Sequence, residues 1–600
     1  AGYRGPDLFT TYPQLRAGFS TAYRMLLLGK TMPNLGDAGA TGLVSTRDVS
    51  PDILARGFAI YGDTSLALAA YRANGNRATG LGWQIFAANQ TVHDQIEQIG
   101  LRHPPRPIES RLLSGFGLAL LETGLNKQQV GIAFNYGRTS MHAHPDMLNF
   151  DLFAFDHWLT PDHGYPEYAS KWPSNQEWTG SSLSHNLVYA NRRPQRETWG
   201  GKTILFKTIP GFTTAIIDGR AAYPDLTQYE RALFLVGGAS STDSNSYVID
   251  VFSVAGGNDY VYSLHGPPAA TTNTSLNLQP QSKGTYAGIN IAKGALADSF
   301  PIGYSYLYDV YRQKNPPLAF SVDWQVKPGY RNLAAGENLH LRLHAFTKLD
   351  EVALAAGDPP QNKPGNPTAL PYVLMHCSGD SIQQQFVSVI EPYRAMPFIK
   401  SIERLPTANK VVALKVLKQD GQKDILVYNP DPSTAARVGD YTVAATVGLF
   451  RFSADDRWKE GIVINGRGIG YKQQWIDGQA GFVGKVIDFK KQVSGEAWIR
   501  VDQRLPTGDS LRGEIMVIKN NNERDASYTI ERVERQGTNS LVYCGPLHFI
   551  RDYKAEKIKV RQQVVPASYK NGYLYDFEEG NQFEIAGHVV GSPISMAGQQ

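Results

Sequence analysis

Cysteine, long apolar runs and an excess of one charge sign are all scarce in this chain of 600 residues. The two cysteines, Cys377 and Cys544, are too few for a disulfide-stapled scaffold, and two buried free thiols are favoured over a bridge between them. No apolar stretch is long enough to cross a membrane as a helix. The formal net charge is only +4, and no basic run resembles a nucleic-acid-binding patch. We therefore expect neither a membrane nor a nucleic acid as a partner.

The size and composition predict a globular protein of several domains. Hydrophobic residues make up 42% of the chain and charged residues 19%, which favours a folded, globular chain. Its 600 residues exceed what one hydrophobic core usually supports, so two to four domains are expected. The pI of about 8.7 is compatible with an anionic substrate but does not require one.

Helical periodicity dominates the first part of the chain. Apolar residues recur at helical spacing over residues 13–30, 50–74 and 109–124. Breaks that contain Gly or Pro separate these segments. The pattern predicts two to three helical pairs within residues 1–127, too few for a complete compact domain.

Strand patterns follow from about residue 128 onward. Alternating apolar and polar residues recur between turn residues, for example over 246–252 and 318–324. Strand after strand without intervening helices predicts an antiparallel β-sandwich over residues 128–477. Further short strands predict a small β-domain over residues 478–600. The whole chain is thus expected to be an α+β protein of three units.

A group of histidines and acids carries most of the chemical information. His142 and His144 stand in the run His-Ala-His-Pro-Asp, with strand-like sequence on both sides, so this i, i+2 pair is expected on one face of a strand. Asp162 and His185 follow. Two imidazoles and a carboxylate suit zinc, which accepts nitrogen and oxygen ligands in a tetrahedral site. One histidine of the pair would then be free for proton chemistry.

The order of these motifs resembles that of the heparinase II/III-like polysaccharide lyases. The pattern runs Tyr-Gly at 136–137, His-x-His-Pro-Asp at 142–146, Leu-x-x-Asp-x-Gly-Tyr at 159–165 and Ser-His-Asn at 184–186. Several motifs in the same order are far more specific than any one of them. The resemblance is specific over roughly residues 1–270 and rests on architecture alone beyond them.

This resemblance implies both a fold and a reaction. The fold is an N-terminal α/α toroid, here partial, packed on an antiparallel β-sandwich with the active site in the cleft between them. The reaction is cleavage of a uronic-acid polysaccharide by β-elimination, with one structural zinc. Carried over position by position, His144, Asp162 and His185 match the zinc ligands. His142 matches a catalytic histidine.

The chemistry of β-elimination sets what the other residues must do. A base removes the proton on C5, next to a carboxylate, and an acid protonates the departing O4. Donors or cations must neutralise the enolate-like charge that forms. The family's acid tyrosine lies on the toroid, and Tyr3 and Tyr12 are the candidates in range. Stacking residues and anion-binding arginines would line the cleft, although loop packing and a solvated hairpin end are equally good roles for them. The candidates are Tyr165, Tyr168, Trp172, Arg192 and Arg193.

The incomplete toroid shapes the expectation for partners. The chain begins at Ala1 without a methionine or signal peptide, as a processed or truncated product would. The apolar faces of a half-toroid would need cover, either from an N-terminal companion segment or from a second copy of the chain. An anionic polysaccharide is the expected substrate, and this substrate class indicates a secreted or periplasmic bacterial protein.

Three functions stay open at this point. A lyase is favoured. A uronyl C5-epimerase would share the proton abstraction but reprotonate the carbon, and a non-catalytic carbohydrate-binding fragment would keep only the metal site. Alginate, heparan-type chains, chondroitin and hyaluronan all fit the substrate pattern.

Overall fold

The computed structural model describes most of the chain. The described residues are 7–12, 15–46, 48–82, 90–103, 109–124, 128–139, 142–165, 175–237, 245–361, 363–408, 410–491, 495–521, 524–552, 559–560, 563–564 and 573–595. Two of the predicted site residues of the cleft wall, Tyr168 and Trp172, lie outside them, and so does Tyr3.

The α-helices that are described all lie in the N-terminal part. They are α1 (Leu8–Thr11), α2 (Leu15–Arg24), α3 (Pro51–Tyr61), α4 (Thr64–Ala73) and α5 (Gln90–Arg102). Ser50 caps α3, because its side chain accepts a hydrogen bond from the backbone N–H of Ile53. The predicted helical segments 13–30 and 50–74 are confirmed in large part. Helix α5 was missed, although its buried residues Val92 and Ile96 are four apart.

A five-stranded antiparallel sheet comes next and begins earlier than predicted. Its strands, in spatial order, are β1 (Arg111–Leu113), β2 (Leu118–Thr123), β3 (Val130–Asn135), β4 (Asn149–Ala154) and β5 (His157–Trp158). The prediction of a helix over residues 109–124 is therefore wrong. A tight turn through Gly117, whose φ is +88°, reverses the chain and pairs Leu113 with Leu118. Positive φ is strained for residues other than glycine, which is why this turn ends the helical pattern.

The largest described sheet has 12 strands and forms the centre of the molecule. Its core order is β11-β14-β15-β17-β10-β9-β8-β7, and the long strands β10 and β17 run side by side at its middle. The strands are β6 (Leu187–Ala190), β7 (Lys202–Ile209), β8 (Phe212–Asp218), β9 (Gln228–Val236), β10 (Tyr247–His265), β11 (Ala269–Thr274), β12 (Gln279–Pro280), β13 (Tyr308–Lys314), β14 (Ala319–Val326), β15 (Leu339–Phe346), β16 (Glu351–Gly357) and β17 (Leu370–Arg394).

A nine-stranded sheet follows, and the last two strands of the chain return to it. Its members are β18 (Ile399–Arg404), β19 (Val412–Lys418), β20 (Lys423–Tyr428), β21 (Ala436–Val438), β22 (Tyr441–Phe452), β23 (Trp458–Tyr471), β24 (Gln474–Asp477), β36 (His588–Gly591) and β37 (Ile594–Ser595). All strand pairings in the described parts of the three large sheets are antiparallel.

The C-terminal unit is a seven-stranded sheet with its own hydrophobic core. Its strands are β25 (Phe482–Phe489), β26 (Ile499–Val501), β27 (Ile515–Ile518), β28 (Ser527–Thr529), β29 (Arg532–Gln536), β30 (Asn539–Tyr543) and β35 (Gln582–Ile585). Two short ribbons complete the strands: β31 (Phe549–Asp552) with β34 (Tyr573–Tyr575), and β32 (Lys559–Val560) with β33 (Gln563–Val564).

The core is layered, with the 12-stranded sheet buried on both faces. Strand β9 shows the alternation: Leu233 and Leu235 pack towards the five-stranded sheet, whereas Phe234 and Val236 pack towards the nine-stranded sheet. The predicted sandwich is thus a stack of three sheets. The five-stranded sheet in turn lies between this core and the segment that follows α2, because Leu118 and Leu120 pack against Leu27.

The chain is therefore mostly β, in several sheets, with the described α-helices at one end. These helices do not by themselves make up a recognisable α/α toroid. Cys377 and Cys544 are buried free thiols, as expected. No helix among the described residues is both long and apolar enough to span a membrane.

Candidate metal centre and cleft

The histidine pair lies in the loop between β3 and β4, not on a strand. The prediction of a shared strand face is therefore wrong, and the two side chains have different surroundings. The His142 side chain is 88% exposed, whereas that of His144 is 5% exposed. The loop thus directs one imidazole to solvent and the other into the protein.

The inward histidine meets two residues that are distant in sequence. His144, Asp162 and His185 are all buried, and one ligand atom from each lies within 4.8 Å of the others. The Nδ1 atom of His144 is 3.2 Å from Nε2 of His185, which is itself 3.3 Å from Oδ2 of Asp162. The structure therefore brings together the three residues that were predicted as metal ligands.

Backbone groups hold the outer polar atoms of His185 and Asp162. The second ring nitrogen of His185, Nδ1, is 2.8 Å from the carbonyl oxygen of Ser181, to which it can donate. The N–H of Gly164 donates to Oδ1 of Asp162 at 2.8 Å. These bonds leave Nε2 of His185 and Oδ2 of Asp162 directed at the same space. Within the described residues, that buried Oδ2 accepts no hydrogen bond. An N, N, O donor set with fixed outer atoms is the arrangement expected of a zinc site.

Asp162 and His185 each stabilise the charged form of the other, and this shows in the pKa of both groups. Burial would raise the pKa of Asp162, yet the neighbouring His185 and His144 lower this pKa to about 2. Burial likewise opposes the charged form of His185, but Asp162 outweighs it and raises the pKa of the imidazole. A carboxylate that is ionised in the interior needs a cation beside it, either an imidazolium or a metal ion.

Asp37 joins the two histidines and was not singled out by the sequence. Its Oδ2 lies 3.2 Å from Nδ1 of His142, and its Oδ1 lies 3.2 Å from Nε2 of His144. Its backbone N–H also donates to the carbonyl oxygen of His142 at 2.8 Å. One carboxylate thus links the exposed histidine to the buried cluster. The residues 33–37 carry only a turn signal, and nothing in the local sequence predicts this contact across 105 residues.

A buried arginine holds the strand and loop ends beneath the cluster. Arg231 forms a two-point ion pair with Asp250 at 2.9 and 2.7 Å. It also donates to the carbonyl oxygens of Leu148, two residues after the His-x-His-Pro-Asp motif, and of Asn186, the last residue of the Ser-His-Asn motif. The Asn186 side chain donates to the carbonyl oxygen of Phe150 at 3.0 Å. The asparagine of the Ser-His-Asn motif is therefore a structural anchor.

Among the described residues, no hydrogen bond or ion pair joins Tyr12, Tyr165, Arg192 or Arg193 to the cluster. Tyr12 is 38% exposed at the end of α1, and no described hydrogen bond connects it to His142 or the cluster. Tyr165 is half-buried, and the ammonium of Lys363 lies 5.8 Å from its ring. Arg192 and Arg193 are exposed in the turn after β6, as a solvated hairpin end would be, and Arg193 is ion-paired with Asp225.

Comparison with known proteins agrees with the motif pattern. Residues 131–294 match the family described as Heparinase II/III-like, C-terminal, which confirms the resemblance over the segment that carries the cluster. A search of curated proteins finds no match.

Heparinases are among the solved structures to which the chain is similar. A heparinase III is 13% identical, with 71% of this chain and 55% of that one covered and a TM-score of 0.45. Another heparinase III is 15% identical, with 66% and 50% covered and a TM-score of 0.42. Heparan sulfate lyase HepC from Pedobacter heparinus is 14% identical, with 65% and 48% covered and a TM-score of 0.40. The chain spans about half the length of these structures.

Proposed function

We propose that this chain, whose residues 131–294 carry the Heparinase II/III-like C-terminal domain, belongs to a polysaccharide lyase that cleaves uronic-acid chains by β-elimination. The observation that carries the proposal is the division of the histidine pair. The imidazole of His144 is part of the buried His/Asp/His cluster, and the imidazole of His142 is exposed. The carboxylate of Asp37 contacts both. Such an arrangement separates a structural task from a proton-transfer task.

The exposed histidine is suited to act as the base at C5. When Nδ1 of His142 donates to Asp37, its other ring nitrogen, Nε2, is left as an acceptor on the solvent side. The carboxylate of Asp37 then fixes the tautomer and favours the imidazolium that forms after proton abstraction. The His142 side chain is accessible to a polymer, because 88% of it is exposed. We assign His142 as the base, and Tyr3 and Tyr12 stay the candidates for the acid at O4.

The buried cluster is suited to hold one zinc ion. His144, Asp162 and His185 would bind it, and water or another ligand would complete the tetrahedron. When bound, the metal supplies positive charge and fixes the two loops that carry its ligands. It would act on His142 indirectly, because Asp37 and the chain from His142 to His144 connect them. The proposed partial toroid would form the other wall of the cleft.

The substrate class follows from the reaction. A histidine can remove a C5 proton only when a carboxylate attached to C5 makes that proton acidic enough. The sugar that loses its C5 proton must therefore be a uronate. Polymers of this kind occur outside cells, and we infer a secreted or periplasmic location on that ground. Sulfated and unsulfated uronans both meet the chemical requirement.

The experiment is an assay on alginate, heparan sulfate, chondroitin sulfate and hyaluronan, each followed by ultraviolet absorbance of the unsaturated uronate. We expect new absorbance with at least one polymer. The same reactions in deuterated water identify the epimerase alternative, which would place deuterium at C5 without new absorbance. No absorbance on any polymer, with or without deuterium exchange, would contradict the lyase.

A further inference from the structure

A single hydroxyl group on the central sheet bridges two segments that carry residues of the buried metal cluster. The hydroxyl of Tyr372 donates to the backbone carbonyl oxygen of Ser184 at 2.9 Å. The same hydroxyl oxygen lies 2.6 Å from Nε2 of His163. His163 directly follows Asp162, and Ser184 directly precedes His185. Tyr372 is therefore bonded to the chain neighbours of two cluster residues.

The donor and acceptor roles in this bridge follow from its chemistry. A carbonyl oxygen only accepts, so the one proton of the Tyr372 hydroxyl is used on Ser184. The hydroxyl oxygen must then accept from an N–H at Nε2 of His163, and this assigns the tautomer of that imidazole. Nδ1 of His163 is buried without a hydrogen-bond partner among the described residues, which agrees with a ring nitrogen that carries no proton. His163 thus serves as a donor to Tyr372.

Tyr372 is itself held in a rigid place. It lies in β17, where its backbone pairs with His265 of β10 on one side and with Ala355 of β16 on the other. Its ring is fully buried, and the ring centres of Trp178 and His265 lie 5.5 and 5.3 Å from its own. Gly357 leaves room for this packing, because a Cβ atom there would lie 2.7 Å from the Tyr372 ring. The bridging hydroxyl is therefore fixed by the sheet.

Each end of the bridge has further bonds of its own. The carbonyl oxygen of His163 accepts from the hydroxyl of Thr41 at 2.6 Å. The hydroxyl of Ser184 donates to the carbonyl oxygen of Ser181 at 2.9 Å. These bonds fix the two segments separately, whereas the Tyr372 hydroxyl connects them to each other. The distance between the segments is thus set from the sheet before any ion binds.

We propose that Tyr372 is a positioning residue that sets the separation of Asp162 and His185 and thereby raises the affinity of the cluster for a metal ion. Ligands that are already in place need less ordering when the ion arrives, so binding is tighter. This inference rests on the metal centre of the proposed function. Its test measures metal binding without a polysaccharide, and the lyase reaction is therefore tested separately.

The first measurement is the zinc affinity of the whole chain, by competition with a chromogenic chelator. Tyr372→Phe removes only the hydroxyl and should weaken binding by about 10- to 100-fold, as the loss of outer partners does in metal sites. Tyr189→Phe is the matched control and should bind zinc as tightly as wild type. Its hydroxyl is also buried, in the strand that follows the Ser-His-Asn motif, and has no hydrogen-bond partner among the described residues.

Two substitutions at the other end of the bond test the same link. His163→Leu removes the donor and should weaken zinc binding as much as Tyr372→Phe does. His163→Gln keeps an amide N–H that can reach the position of Nε2, so it should retain most of the affinity. If Tyr372→Phe does not fold, these two variants decide the matter, because equal affinities of His163→Leu and His163→Gln would refute the bridge.

The second measurement separates positioning from a general loss of stability. Wild type, Tyr372→Phe and Tyr189→Phe are each melted with and without excess zinc. A residue that only packs would lower Tm equally in both conditions. Tyr372→Phe should instead show a smaller zinc-dependent rise in Tm than Tyr189→Phe, because stabilisation by a ligand grows with its affinity.

The outcomes distinguish the role of Tyr372 from the metal centre itself. If wild type binds zinc and Tyr372→Phe matches Tyr189→Phe in affinity and in the zinc-dependent rise in Tm, the role of Tyr372 is refuted and the metal centre stands. If wild type binds no zinc, the metal centre and the role of Tyr372 are both refuted, and the lyase is still decided by the assay on uronans.

Discussion

Residue chemistry in the histidine loop depends on one carboxylate. Asp37 contacts a ring nitrogen of both His142 and His144, and only His144 is buried. In metal sites, a carboxylate that accepts from a ligating histidine fixes the ring and makes the nitrogen that faces the metal a better donor. Asp37 is thus expected to support the metal site and the proposed base together.

The first prediction concerns this link. Asp37→Ala should lower zinc affinity by about 10- to 100-fold, because His144 loses its outer hydrogen bond. Competition with a chromogenic chelator measures the affinity. Asp298→Ala removes an exposed carboxylate elsewhere and should leave it unchanged. Equal zinc affinity in both variants would show that the contact between Asp37 and His144 has no role in metal binding.

The second prediction concerns the inward histidine. His144→Ala should abolish stoichiometric zinc and lower the melting temperature, because a metal that joins separate loops contributes to folding. Elemental analysis and calorimetry measure the two effects, and chelator-treated wild type should melt at a similarly lowered temperature. His103→Ala, at an exposed helix end, is the control. A variant that keeps both zinc and melting temperature would remove His144 from the ligand set.

Much of the residue-level assignment could be made from sequence, and one part could not. His144, Asp162 and His185 were identified from their chemistry and motif order, and the structure brings them together. Asp37 was missed because its partners are more than 100 residues away, and sequence spacing carries no signal for such a contact. The strand face assigned to the histidine pair was wrong because the flanking strands end at Asn135 and resume at Asn149.

The elements show where periodicity misleads. Strand β2 was predicted as part of a helix because apolar residues recur at helical spacing over residues 109–124, and its continuous apolar run fits either element. The run is apolar because both faces of the strand are buried: Leu118 and Leu120 face the helical side, whereas Ala119 and Leu121 face the sandwich. By contrast, the strand around residues 318–324, with one face more exposed, alternates visibly and was predicted correctly.

The third prediction concerns Arg231, which pairs with Asp250 and holds the backbone at Leu148 and Asn186. Arg231→Ala should lower the free energy of unfolding by about 3–5 kcal/mol, because it leaves the buried carboxylate of Asp250 without its partner. It should also loosen the loop ends at Leu148 and Asn186. Urea unfolding measures the first effect. Arg457→Ala, in an exposed pair, should match the wild type within error. Indistinguishable unfolding of the two variants would contradict this role.

The whole molecule combines a stack of three sheets with an N-terminal helical part. The stack was predictable in kind, because repeated strands without helices favour packed antiparallel sheets. The number of layers was not, since the strand pattern does not show that the central sheet is covered on both faces. The helical part leaves large apolar side chains exposed, including Leu8, Leu15, Ile53 and Leu101.

The fourth prediction concerns those side chains. We expect the purified chain to self-associate through the helical part unless a companion segment covers it, because burial of exposed apolar side chains is favourable. Light scattering should give a mass above 66.1 kDa that falls with the double variant Ile53→Ser and Leu101→Ser. Leu318→Ser, exposed in the central sheet region, is the control. A mass of one chain at every concentration would argue against a covered helical face.

The most direct test of the proposed roles of His142 and His144 compares wild type and His142→Ala on the uronan panel, with zinc measured in the same samples. Wild type should release unsaturated uronate from at least one polymer. His142→Ala should release none, yet keep full zinc and an unchanged melting temperature, because the His142 side chain is exposed and outside the buried cluster. A His142→Ala variant that cleaves at the wild-type rate, or that loses its zinc, would contradict the assignment of His142 to catalysis and His144 to the metal site.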